Sequence, residues 1–240
     1  RDVAVTGVQT CALPILLLTG YYGDQGHVNH FVENTWNISL VSPRYVQYGP
    51  QLLFSAFLLD SLPSAPGSAI GELTHMSQTG RDAVEKLFQE RTQTPLSFDA
   101  IFNNFVSYVF DQSEQKALLP SSWQHGEGIQ IPKITPYYVF PSASGELNGQ
   151  IAPYSFLAVD LSQKLTPSII VRVERTNPPS GNPGPCAQNA SVLWKPISLE
   201  RIALYAVGCD PGEKKDPIQF RLKILDQPSL LPPSPFNIFR

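Results

Sequence analysis

The spacing of apolar residues changes once along this chain, and that change limits what it can fold into. Before residue 118 apolar side chains recur every three to four positions; after residue 133 they alternate, or run in short blocks cut by turn residues. A 3.6-residue period and a 2-residue period cannot share one element. The sequence therefore predicts an α+β protein, with a helical segment followed by an antiparallel β-sandwich. The clearest helical stripe is Phe98, Ile101, Phe102, Phe105, Val106 and Val109, with Ser97 placed to cap its N-terminus. Tyr48 to Leu62 is apolar nearly all round, which is the pattern of a buried helix, and Pro63 and Pro66 end it.

Shorter helices are expected over His27–Asn34 and Ser68–Gln78. Another is expected where Thr79 and Asp82 have capping-box spacing ahead of Ala83, Val84, Leu87 and Phe88. Leu16, Leu17 and Leu18 read as the end of a buried helix stopped by Gly20. Strands are expected at Tyr137–Phe140, Ser155–Asp160, Ser168–Glu174, Ser191–Lys195, Ile202–Val207 and Gln219–Ile224. Asn148-Gly149, Asn177-Pro178-Pro179 and Asp210-Pro211-Gly212 read as the turns between them.

Composition narrows the class. Charged residues are 15% of the 240 and the net charge is −3, with no Lys/Arg run, which argues against a nucleic-acid partner. No apolar run reaches the roughly 20 residues of a membrane span. The 23 prolines favour turns and edge strands, as in secreted β-rich modules.

Val5 to Ile15 reads Val-Thr-Gly-Val-Gln-Thr-Cys-Ala-Leu-Pro-Ile, which resembles one translated frame of a short-read sequencing adapter. Residues 1–15 are therefore set aside as an artefact of processing, and Cys11 leaves the cysteine count. The division expected is 16–118 helical, 119–132 linker, 133–226 β-sandwich and 227–240 a proline-rich tail.

Few residues announce chemistry. His27 and His30 stand three apart, with Glu33 the nearest carboxylate, a spacing two metal ligands can have but also that of an ordinary polar helix face. There is no G-x-S-x-G elbow, no phosphate-cradling glycine loop and no evident carboxylate pair for glycoside hydrolysis. Cys186 and Cys209 are the remaining cysteines, both among Pro and Gly. In an oxidising compartment they could close a loop worth about 3 kcal/mol, or stand as two separate thiols. Trp123, Tyr137, Tyr138, Tyr154 and Trp194 could stack on a ligand, or serve as core and edge residues. Asn37 and Asn189 head N-x-S sequons.

Tyr48-Gly49-Pro50-Gln51-Leu52-Leu53-Phe54, followed by Phe57-Leu58, resembles a helix of bacterial secreted zinc metallopeptidases of the hyicolysin-like type, downstream of their catalytic helix. Gly20-Tyr21, Phe31 and Leu40 are similar to the stretch after the family's glutamate helix. Phe98-Asp99-Ala100-Ile101-Phe102-Asn103-Asn104-Phe105 is similar to a later Phe-x-x-x-Phe-x-Asp-Trp helix. The resemblance covers residues 17 to 111 and rests mostly on core-packing positions.

The resemblance implies a gluzincin fold and a secreted or cell-surface endopeptidase acting on protein or peptide substrates. Such enzymes hold zinc with H-E-x-x-H on one helix and a glutamate on the next. No H-E-x-x-H occurs in this sequence. The expectation is a piece of the parent lying after a missing N-terminal catalytic subdomain. Zinc would belong to the parent, with none in this chain, and the chain alone would be inactive. The resemblance also suggests Tyr48, with Tyr45 as the alternative, as the phenol that stabilises the oxyanion. The rival expectation is a non-catalytic surface or adhesion protein that keeps the peptidase-like scaffold and uses the β-sandwich for binding.

Overall fold

The structure, a computed structural model, describes residues 25–41, 48–62, 68–78, 80–116, 118–119, 129–140, 145–161, 164–166, 169–176, 190–208 and 217–226. The expected helix end at 16–18, the adapter-like segment, Thr79, the Pro-rich turns at 177–179 and 210–212 and the tail lie outside these residues, as do Trp123, Asn189, Cys186 and Cys209.

Five described helices come first: α1 (Gln25–Glu33), α2 (Tyr48–Ser61), α3 (Ser68–His75), α4 (Gly80–Thr92) and α5 (Phe98–Gln115). The strands follow as β1 (Leu118–Leu119), β2 (Ile129–Gln130), β3 (Tyr138–Val139), β4 (Gly145–Ile151), β5 (Phe156–Asp160), β6 (Ile169–Arg175), β7 (Ser191–Ser198), β8 (Arg201–Val207) and β9 (Ile218–Asp226). The chain is thus α+β. None of the described helices is long and apolar enough to cross a membrane.

Local chemistry accounts for the helices. Ser97 sits in extended backbone and its Oγ accepts from the Ala100 N–H at 3.3 Å, so α5 begins where its cap dictates. Its whole apolar stripe is buried, and Phe110 and Ser113 extend it. α2 is apolar all round because it is enclosed: Leu52, Leu53, Phe54, Ala56, Phe57, Leu58 and Leu59 are all buried. Phe105 of α5 meets Phe54 and Phe57 of α2 edge-on, at centroid distances of 5.3 and 5.7 Å. The 119–132 segment, read above as a linker, carries buried Leu119 and Ile131, and β1 pairs with β2 beside the helices.

The strands form two larger sheets. One has the order β3-β5-β8-β7 and the other β4-β9-β6. All pairs in them are antiparallel except β3 with β5, which is parallel and departs from the all-antiparallel expectation. Strand alternation places the four-stranded sheet between two other layers. Phe156 and Ala158 of β5, with Ala203, Tyr205 and Val207 of β8, join the core of the helices. Leu157, Val159, Ile202, Leu204 and Ala206, their alternating neighbours, join a second core with Phe220, Leu222 and Ile224 of β9. A strand covered on both faces needs apolar residues at every position, which is why β5 and β8 read as continuous apolar blocks.

β4 corrects the sequence reading. Asn148-Gly149 is not a turn but lies inside the strand, paired with Arg221 and Phe220. A Cβ on Gly149 would lie 2.6 Å from the Phe220 ring and 2.8 Å from the Tyr138 hydroxyl. The glycine answers a close approach, not a reversal of the chain.

Candidate functional site

Tyr48 is the first residue of α2, where the resemblance puts an oxyanion donor; its side chain lies outside the described residues. The backbone that carries it is closely held. A Cβ on the next residue, Gly49, would overlap the His27 carbonyl oxygen and lie 2.8 Å from Phe31 Cβ, so α2 begins in direct backbone contact with α1. Pro50 follows in the first turn, where its missing N–H costs no helical bond. Gln51 is buried, its Nε2 3.5 Å from the Leu40 carbonyl and its Oε1 without a hydrogen-bond partner among the described residues.

The segment between α1 and α2 is tied to the sheets. Ala152 N–H donates to the Trp36 carbonyl, Phe156 N–H to that of Thr35, and Leu40 N–H to that of Tyr154. Tyr154 is the pivot of this corner. It is fully buried, has φ 49°, and packs edge-on against Phe98 and Phe102. Its hydroxyl donates to Asp99 Oδ1 at 2.6 Å and accepts from Arg81 Nη1 at 3.2 Å. Burial first, then the bond to Asp99, pushes the phenol up to about 12. Tyr154 is therefore a core residue, not a stacking platform. Tyr137 is 43% exposed and stands 4.9 Å from Trp36 and 4.5 Å from Tyr138. Trp194 lies on β7 at the end of its sheet.

His27 and His30 share α1, and among the described residues neither belongs to a metal-ligating group of three. Among the described residues, no three His, Cys, Asp or Glu side chains come together as a metal site.

Sequence reasoning missed a cleft of about 400 Å³ where the second half of α5 meets the β7–β8 turn and the end of β5. Phe110, Leu161 and Ile197 give it apolar walls, and Asp111, Glu114, Lys133, Asp160, Glu200 and Arg201 give it charge. Arg201 grips Asp160 with two donors, Nε to Oδ1 at 2.5 Å and Nη2 to Oδ2 at 3.3 Å, and reaches Glu114 at 3.5 Å. The hydrogen bond to Asp160 raises the guanidinium further above its ordinary range. Beside the cleft, Lys195 of β7 donates to Ser107 Oγ and to the Asn103 carbonyl of α5. Burial lowers the Lys195 ammonium, and the nearby Asp111 carboxylate opposes that shift. These contacts depend on register across four elements, and no local motif marks them.

The fold and site thus define an α+β protein with a helical layer closed over a sheet. No family model, curated protein or solved structure matches the chain.

Proposed function

We propose that this chain is the part of a secreted, hyicolysin-like zinc endopeptidase that follows its metal-binding helix. The helical layer is then the peptidase subdomain and the two large sheets are an accessory β-sandwich. The observation that carries this reading is the start of α2. The Tyr48-Gly49 dipeptide of the family-like motif sits where Gly49 admits no side chain against α1, so the backbone bearing Tyr48 is fixed. A donor carried on held backbone needs less reorganisation when charge develops on a tetrahedral intermediate. In this reading Tyr48 donates its phenolic proton in a hydrogen bond to that oxyanion.

The ligand motif of such a zinc site does not occur in this sequence. H-E-x-x-H is absent from the 240 residues, and no three ligating side chains converge among the described ones. No step is therefore routed through a metal here; its ligands and the general base are assigned to another segment of the parent polypeptide. The parent acts on protein or peptide substrates outside the cell, and this chain alone has no zinc-dependent peptidase activity.

In the parent enzyme, Tyr48→Phe is expected to lower kcat about 100-fold or more, the usual effect of removing one oxyanion donor. KM and Tm should change little. An unchanged kcat would remove the assignment. A second reading, a non-catalytic surface or adhesion protein, draws on the solvent-facing Tyr137 and Val139, which are 43% and 67% exposed.

A further inference from the structure

β3 and β4 are each the last strand of their sheet, and three aromatic rings collect beside them. Trp36 comes from the strap between α1 and α2, and Tyr137 and Tyr138 from the start of β3. The Trp36 and Tyr137 ring centroids are 4.9 Å apart and inclined at 36°; those of Tyr137 and Tyr138 are 4.5 Å apart and nearly perpendicular. Tyr137 is 43% exposed, and Trp36 and Tyr138 are half-buried. Single exposed aromatics are ordinary on a protein surface; three in mutual contact are a feature that asks for a ligand. The rings are held in place before anything binds. Ala152 N–H donates to the Trp36 carbonyl at 2.8 Å, and Tyr137 N–H to the Ala158 carbonyl at 2.9 Å. Gly149 leaves the space beside the Tyr138 hydroxyl, which lies 2.8 Å from where a Cβ would stand. Rings already ordered lose little entropy on binding.

The chemistry around the rings selects the ligand. Residues 34–38, 135–140 and 147–152, which carry or adjoin them, contain amides and hydroxyls but no charged side chain. Asn37, Thr135 and Gln150 among them are exposed. This surface has no charge to offer a nucleic acid or an anionic lipid headgroup. Three part-exposed rings also supply little of the roughly 800 Å² per partner that a stable protein interface takes. They do offer electron-rich faces to the C–H bonds on one side of a pyranose, with phenols and amides beside them for its hydroxyls. The rings share no common plane, so they suit one twisted soluble chain and not the flat face of a crystalline polysaccharide. We infer that Trp36, Tyr137 and Tyr138 form a binding site for a neutral polysaccharide chain, with Asn37, Thr135 and Gln150 as polar groups at its rim. The site uses only residues of this chain and does not rest on the peptidase reading.

The test is calorimetric titration of the full 240-residue chain with laminarihexaose, cellohexaose, maltohexaose and chitohexaose. The expected result is saturable binding of at least one of the four. Tyr137→Ala should weaken that binding about 10-fold, the upper end of what one aromatic contact contributes. Tyr137→Phe keeps the ring and should stay within about threefold of the wild type. Leu225→Ser, which alters a 40% exposed apolar side chain on β9 away from the rings, should bind like the wild type and so separates the site from general stickiness. Circular dichroism and Tm establish that each variant is folded. Binding of none of the four hexasaccharides overturns the proposal. So does a folded Tyr137→Ala variant that binds as tightly as the wild type. Neither result touches the Tyr48 assignment, which is read from kcat of the parent enzyme.

Discussion

Replacing Phe105 with alanine is expected to lower stability by about 3–5 kcal/mol, the usual cost of emptying a buried aromatic site. The ring is fully buried and contacts Phe54 and Phe57 edge-on and Phe102 at 6.0 Å. It stands where α5 and α2 pack together, and both helices are nearly enclosed there, so little can move in to fill the void. A denaturant titration measures the loss. A change under 1 kcal/mol would mean that the two helices do not meet through this ring.

Tyr154→Ala is expected to have an effect of similar size, about 3–5 kcal/mol, for a different reason. The substitution empties a site between Phe98 and Phe102 and takes the hydroxyl away from Asp99. Because Tyr154 joins the helical layer to the sheet corner, helix and sheet signals should still fall together, at lower denaturant. The phenol also sets an alkaline limit. A tyrosine in the unfolded chain titrates near 10, whereas Tyr154 is pushed up to about 12. The folded protein keeps a proton that the unfolded chain gives up, so this contribution is complete below pH about 10 and is lost as pH rises towards 12. Tyr108, raised by burial and by its bond to Asp60, acts in the same direction. Tyr154→Phe should therefore show a shallower fall of Tm between pH 10 and 11.5 than the wild type. An equal slope would contradict the assignment.

The helices were legible because their information is local. The stripe from Phe98 to Val109 and the Ser97 cap lie within one stretch of chain, and the structure has both. β5 and β8 were legible as strands, since strands covered on both faces carry apolar residues at every position. Their place between two layers was not, because a continuous apolar block does not say what covers each face. β4 was lost for a physical reason. Its outward residues are Glu146, Asn148 and Gln150, and a glycine, Gly149, stands between Leu147 and Ile151 on the other face, so the strand shows little apolar alternation and its Asn-Gly pair imitates a turn. The cleft at Arg201 was invisible because Asp160 and Arg201 face each other only through strand register. Of the candidate site, the sequence placed Tyr48 at a helix start, and Gly49 explains why the helix begins against α1. What the sequence could not supply was the strap from Thr35 to Leu40, held by backbone hydrogen bonds to residues 152–156.

The most direct test of the functional account is to recover the source DNA and read the frame upstream of the codon for Leu16. The account predicts an H-E-x-x-H helix followed by a glutamate on the next helix, joined to Leu16 without the Val5–Ile15 tract. A continuous upstream frame that lacks those ligands, or that carries the tract as genuine coding sequence, would contradict it.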